Sequence, residues 1–404
     1  MTSAPAILDG KPLFSKKIPI ANPVLPSSAQ LLEGLDQILQ SGIVTNGPFT
    51  HAFEQAVSEQ LNVKHAVAVS SATSGLMIAY RCLGLRGEVV VPSFTFMATV
   101  SAMIWAGLTP VFADVDLQTG NLDPAAAAAA ITPQTSAIVA IHNSGNPADI
   151  VELEAVAARH DLPLIFDAAH AFGSLWKTEA IGAQGAVQIF SLSPTKLVVA
   201  GEGGMVTTND DQLAARLRIA REYGNRGDYN SEFAGINARL PEFSALLGQQ
   251  SLGHLGTAVS WRNEIAALYR QRLGQLPGIH FQLVRDGNRS SYKDFSITVD
   301  ATAFGLTRNE LAAVFAAENI DTRRYYDPPV HRHKAYQAYA PGDGTLPNTD
   351  FLAGAILNLP IWSHMSESIA SDICLAIERA HAFSDAIRAR LKQEGVKERA
   401  VSTF

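Results

Sequence analysis

The sequence predicts an α/β protein with a large domain on a mostly parallel sheet of seven strands and a smaller α/β domain at its C-terminal side. Three observations predict it. Short, apolar, often β-branched runs recur seven times between Ala66 and Thr208. Helix-like stretches lie between many of them, and short fully apolar strands alternating with helices argue for a parallel sheet covered on both faces. After about residue 250 the pattern changes to longer helices with fewer strands.

Taken in order, residues 50–61 place Phe53, Val57 and Leu61 at i, i+4 and i+8, which predicts an amphipathic helix. Strands are expected at Ala66–Ser70, Val89–Val91, Pro110–Val115, Ala137–Ile141, Pro163–Phe166, Val187–Phe190 and Met205–Thr208. Asp123 and Pro124 precede six alanines, an N-cap and first-turn proline for a surface helix to which no function is assigned. Beyond residue 250 we expect a helix over Trp261–Leu273, a strand over Phe295–Val299 and a helix over Arg308–Glu318. A strand over Asp321–Tyr326 and a closing helix carrying Ile369, Ile373 and Ile377 complete the chain. The division is residues 1–250, with an N-terminal arm, and residues 251–404.

Composition narrows the function. With 404 residues, 47% hydrophobic and 17% charged, the chain is of ordinary globular type, long enough for two cores. Its 31 Lys and Arg against 38 Asp and Glu give a net charge of −7, which offers no footprint for nucleic acid or an anionic membrane. The two cysteines, Cys82 and Cys374, sit in apolar helical stretches and read as buried thiols, without a disulfide framework or a metal site. No leader and no run of about 18 apolar residues is seen, so a cytoplasmic protein is expected.

Lys196 carries the most chemistry. It lies in Ser191-Leu192-Ser193-Pro194-Thr195-Lys196, on a loop joining two expected strands, where catalytic groups tend to be mounted. A lysine forms a Schiff base with an aldehyde cofactor such as pyridoxal phosphate, and burial lowers its pKa toward the nucleophilic amine. Alone, it reads far more readily as a solvated loop residue, and the segments around it overturn that reading. Asp167 stands where an apolar strand ends, at the edge that binds ligands in open α/β sheets. A carboxylate there either pairs with a protonated pyridine nitrogen or caps the next helix. His170 follows, able to meet the ring hydroxyl or simply to pack, and Ala169 is small enough for a flat ring to approach. In Ser70-Ser71-Ala72-Thr73-Ser74-Gly75 a strand runs through hydroxyl residues into a helix, a phosphate site or merely a cap. It is no P-loop, and Gly201-Glu202-Gly203-Gly204 lacks the spacing of a dinucleotide fingerprint. Phe96 supplies an aromatic for stacking or for the core.

Together these segments resemble the sugar-nucleotide aminotransferases of the DegT/StrS group, pyridoxal-phosphate enzymes of the aspartate-aminotransferase fold, also called fold type I. The resemblance runs from Asn46-Gly47-Pro48 to Pro328-Pro329-Val330-His331. It implies that Lys196 carries the cofactor, that Asp167 binds the pyridine nitrogen and that Phe96 and Ala169 sandwich the ring, with His170 beside it. Ala72, Thr73 and Ser191 would hold the phosphate. The segment Gly235 to Leu240 resembles a loop that enters the neighbouring subunit's site, where Asn237 caps the phosphate, so a homodimer with shared sites is implied. Arg239, Arg324, Tyr326 and His331 are the implied substrate contacts; each also reads as surface charge or strand packing.

The implied reaction is a ping-pong transfer from L-glutamate to a nucleotide-diphosphate keto sugar, with pyridoxamine 5'-phosphate between the halves. Many members carry glutamine in place of His170. That pattern, with residues 107–124, looks most like the branch acting at C4 of thymidine-diphosphate 4-keto-6-deoxyglucose. Amination at C3 or of a keto-cyclitol stays open, as does a non-catalytic sensor or scaffold of the same fold. Related dehydratases replace the lysine with histidine, and some need a cysteine-held cluster; Lys196 and only two cysteines oppose both.

Overall fold

In the computed structural model, which describes residues 3–393, each of the seven predicted runs becomes a strand of one sheet. These are β1 (His65–Val69), β2 (Glu88–Pro92), β3 (Thr109–Ala113), β4 (Thr135–Ile141), β5 (Leu164–Asp167), β8 (Val187–Ser191) and β9 (Gly204–Thr208); β6 (Leu175–Trp176) and β7 (Glu179–Ala180) form a separate hairpin. The order across the large sheet is β1-β9-β8-β5-β4-β2-β3. The pairs from β8 to β3 are parallel, whereas β9 is antiparallel to both its neighbours. Because β9 is reversed, β1 points the same way as the other five. Six strands therefore end at one edge, and β9 begins there.

The strand sequences show why both faces are covered. Successive side chains point to opposite faces, so Ala66 and Ala68, Ile138 and Ala140, and Leu164 and Phe166 join one core. Val67 and Val69, Val139 and Ile141, and Ile165 join the other. The first core is closed by the helices Pro48–Leu61 and Ile150–Arg159, through Phe53, Val57, Leu61, Leu153 and Val156. The second is closed by the helices Ala72–Cys82, Met97–Trp105 and Asp211–Ala220, through Leu76, Val100, Met103, Leu213 and Leu217. As expected, Asp123 caps the alanine helix, accepting from the Ala125 N–H at 2.7 Å. The N-terminus of Pro48–Leu61 is instead capped from a distance: buried Glu242 accepts from the N–H groups of Gly47, Phe49 and Thr50.

A third core surrounds the antiparallel sheet of β10 (Ile279–Phe281), β11 (Phe295–Val299) and β12 (Ile356–Leu359). It takes apolar faces from the helices Leu255–Leu273, Arg308–Ala317 and Glu367–Ala382. The expected strand over Asp321–Tyr326 does not form. Arg323 makes one isolated bridge to Asn358, and the Tyr325 N–H is taken by the Asn358 side chain at 2.7 Å. Only Thr322 and Tyr326 of that stretch are buried, too few positions to hold a strand against a sheet. Cys82 and Cys374 are free, buried thiols in separate cores, and burial raises them to about 11 and about 12.

Candidate active site

Lys196 stands on the loop of residues 192–203, between the end of β8 and the start of β9. Both ends of the loop are tied, by Leu192 N–H to Gly203 O at 3.0 Å and Ala200 N–H to Leu192 O at 2.9 Å. The run Leu197 to Ala200 is buried, an apolar anchor that fixes the turn at the lysine. Lys196 itself is half-buried, and its amine is lowered to about 7. Loss of solvation is the main cause, followed by the charge of Lys293; Asp294, Asp167 and Glu202 oppose it.

Asp167 is the last residue of β5 and only 6% exposed. Its Oδ2 accepts from Thr99 Oγ1 at 2.7 Å and its Oδ1 from the Ala169 N–H at 3.1 Å. Burial raises its pKa, while these two hydrogen bonds and the charge of Lys196 pull the other way. Asp167 thus makes the local cap-like bond, and its other oxygen is held from a different helix. Beside it, burial first and then the charges of Lys196 and Lys293 keep His170 neutral. His170 Nδ1 is buried with no hydrogen-bond partner among the described residues.

The helix Ala72–Cys82 starts at the same edge. Ser71 caps it, its Oγ accepting from the Ser74 N–H at 3.1 Å. The N–H groups of Ala72 and Thr73, in the first turn, have no acceptor inside the helix. In register, Gly204 of β9 lies between Val69 of β1 and Ser191 of β8, whose hydroxyl donates to Ser193 Oγ at 3.3 Å. A Cβ at Gly204 would stand 2.6 Å from the Ala72 nitrogen, so only glycine permits this approach. Phe96, at the cap of the helix Met97–Trp105, is 47% exposed at that edge. These features fit pyridoxal phosphate: free N–H groups at a helix start for the phosphate, a buried carboxylate for a cationic ring nitrogen, an unpartnered buried imidazole nitrogen and a lysine lowered toward its free amine.

Asn237, expected at the cofactor phosphate, and Arg239, expected at the substrate, lie together. Asn237 is exposed and accepts from Arg239 Nε at 3.2 Å; Arg239 also lies 3.5 Å from Glu222 and 5.9 Å from the centre of the Tyr223 ring. Within one chain, these two residues lean on each other. Tyr326 is buried edge-on against Phe94 at 5.6 Å. Arg324 is half-buried, with its Nε unpartnered among the described residues. His331 Nδ1 pairs with Ser93 Oγ at 2.7 Å, and burial lowers its pKa, which weakens it as a cation. Thr99, Lys293 and Asp294 were not expected. Thr99 had a usable signal, a hydroxyl one turn into a helix that starts at the ligand edge; the other two had only an adjacent Lys and Asp ahead of an apolar strand.

Comparisons with known proteins point to one family. The model of the DegT/DnrJ/EryC1/StrS aminotransferase family matches residues 27–378. The chain is 36% identical to a dTDP-3-amino-3,4,6-trideoxy-alpha-D-glucose transaminase of Streptomyces venezuelae, over 84% of this chain and 89% of that protein. It is 31% identical to a dTDP-4-amino-4,6-dideoxy-D-glucose transaminase of Escherichia coli, over 89% of this chain and 97% of that protein. Among solved structures, DesI in the presence of its TDP-sugar product superposes with a TM-score of 0.88 at 35% identity, covering 96% of this chain and 98% of DesI.

Proposed function

Because this chain belongs to the DegT/DnrJ/EryC1/StrS aminotransferase family, we propose that it moves an amino group from L-glutamate to C4 of a nucleotide-linked 4-keto-6-deoxyhexose, the thymidine-diphosphate 4-keto-6-deoxyglucose being favoured. One observation carries the amino-transfer chemistry: Lys196, its amine lowered to about 7, lies within electrostatic reach of the buried Asp167 carboxylate at the ligand edge of the sheet. Bound there, pyridoxal phosphate supplies an electron-accepting ring that stabilises negative charge at the carbon losing a proton.

The protein's part is to position and to move protons. Nζ of Lys196, a large part of it unprotonated near neutral pH, takes the proton from Cα of the donor and later returns one to the sugar carbon that receives the amine. Asp167, ionised against a cationic ring nitrogen, keeps that ring electron-poor. The first-turn N–H groups of Ala72 and Thr73 with the Ser191 hydroxyl would hold the phosphate, and Phe96 and Ala169 would flank the ring. His170 donates or accepts at the ring edge without adding charge. Asn237 and Arg239 would complete the site of a neighbouring subunit, where Arg239, with Arg324, meets the sugar diphosphate.

C4 rests on the Asp167-Ala168-Ala169-His170 segment and on the likeness to the Escherichia coli transaminase. The Streptomyces venezuelae relative, a 3-amino-sugar transaminase by name, favours C3 as the second reading. Incubating enzyme and L-glutamate with a panel of keto-sugar nucleotides, with products identified by mass and NMR, separates the two. Amination at C3, or turnover of a keto-cyclitol only, would refute the C4 assignment and leave the chemistry standing. Purified protein whose visible cofactor absorbance is absent, or does not change with L-glutamate, would overturn the aminotransferase reading itself.

A further inference from the structure

A second lysine enters the site from the other sheet. Residues 290–294, leading into β11, are strapped across to the large sheet's ligand edge. Ser291 Oγ donates to His170 O at 2.7 Å, and the Lys293 N–H to Ser144 O at 3.0 Å. From behind, Arg262 on the helix Leu255–Leu273 donates to the carbonyls of Tyr292 and Lys293, at 2.9 and 3.0 Å. Asn263 on the same helix holds Ser290 O at 3.0 Å. So fixed, the Lys293 ammonium is 6% exposed, pairs with Asp294 Oδ1 at 2.8 Å and lies 5.3 Å from the centre of the Tyr325 ring. Asp294 Oδ2 is buried without a hydrogen-bond partner among the described residues.

As a stability device this pair is poor. Burying two charges costs about as much as their attraction returns, and an unpartnered carboxylate oxygen worsens the balance. The placement makes sense through what the pair faces. Around Lys196 stand Lys293 and Asp294 from this strap, Asp167 from the end of β5, His170 from the following turn and Glu202 from the lysine's own loop. Of the charged neighbours among this chain's described residues, three are acids that favour a protonated amine, and Lys293 is the cation that opposes them.

We propose that Lys293 is a positioning residue for the transferred proton: its fixed charge keeps the Lys196 amine uncharged among three carboxylates, and Asp294 limits that effect by pairing with it. The proposal rests on the role of Lys196 given above. Without Lys293, the amine would hold its proton near neutral pH and could take none from the donor. The local electrostatics agree, since Lys293 has the largest influence on Lys196 after burial, ahead of Asp294.

The test uses the full-length chain freed of cofactor. Lys196 is labelled with acetic anhydride at a series of pH values, and its extent of acetylation is read by peptide mass mapping. Unmodified protein should show a midpoint near 7; Lys293→Gln should move it upward by roughly one unit or more, and Lys293→Arg should restore it. Should Lys293→Gln fail to fold, Lys293→Met, close to lysine in shape and neutral, should give the same upward shift. A midpoint unchanged or lowered in either folded variant overturns the proposal. Borohydride reduction of the holoenzyme keeps the two readings apart: a pyridoxyl group on a lysine other than Lys196 sinks the aminotransferase site, whatever the midpoints show.

Discussion

At the scale of single residues, Asp167 is held by two donors and buried, so its charge is costly until a cation meets it. Asp167→Ala should therefore lower kcat by about 10³-fold, roughly 4 kcal/mol, with KM changed only a few-fold, as steady-state kinetics would show. The same cost predicts that Asp167→Asn raises the Tm of the cofactor-free protein at neutral pH, measured by calorimetry. The sign follows from linkage: with its folded pKa raised, Asp167 contributes more stability as pH falls through that value, and asparagine is neutral throughout. Thr99→Val removes the 2.7 Å bond that lowers the carboxyl, so the pH at which cofactor is lost on acidification should move upward. Cofactor absorbance after gel filtration at each pH reads this directly. Asp167 was legible as a candidate because it ends an apolar strand, and Lys196 because it lies on the loop between two such strands. Lys293 was not, since in sequence a buried lysine ahead of a strand looks like an exposed one; only the contacts of Arg262 and Ser144 with its backbone draw it inward.

At the scale of elements, the contact between β9 and the start of the helix Ala72–Cys82 is the tightest link in the site. Gly204→Ala would place a methyl group 2.6 Å from the Ala72 nitrogen and force strand and helix apart. Overpacking of this kind costs about 1–3 kcal/mol. The expected result is a lower Tm and a cofactor dissociation constant raised about tenfold or more, measured by fluorescence titration, with a residual fold by circular dichroism. The seven large-sheet strands were readable because they are buried on both faces and so apolar throughout, whereas the stretch over Asp321–Tyr326 mimicked a strand by its β-propensity alone. Its four consecutive polar residues, Asp321 to Arg324, gave no apolar face, and the Asn358 side chain took the Tyr325 N–H. No local signal records that kind of capture.

At the scale of the whole molecule, the single chain leaves an apolar stripe uncovered. Leu32 and Leu39, on the helix Ser28–Ser41, are 62% and 67% exposed, and Leu25, Ile43 and Val44 extend the patch. Such a surface fits a subunit interface, consistent with the proposed homodimer in which Asn237 serves the neighbouring site. If so, inactive Lys196→Ala chains mixed with inactive Asn237→Asp chains under subunit exchange should recover up to about a quarter of native activity, since half the dimers would carry one intact site. No recovery, with exchange verified by native mass spectrometry, would place both residues in one subunit's site. The reversed strand β9 also has a consequence for how such a protein can vary. A parallel successor to β8 would have had to cross over and re-enter the sheet at the opposite edge. The hairpin-like return instead roots both ends of the lysine's loop in neighbouring strands at the ligand edge. Changes in length elsewhere on that edge can remodel what the protein accepts, while the reacting amine stays moored from two sides.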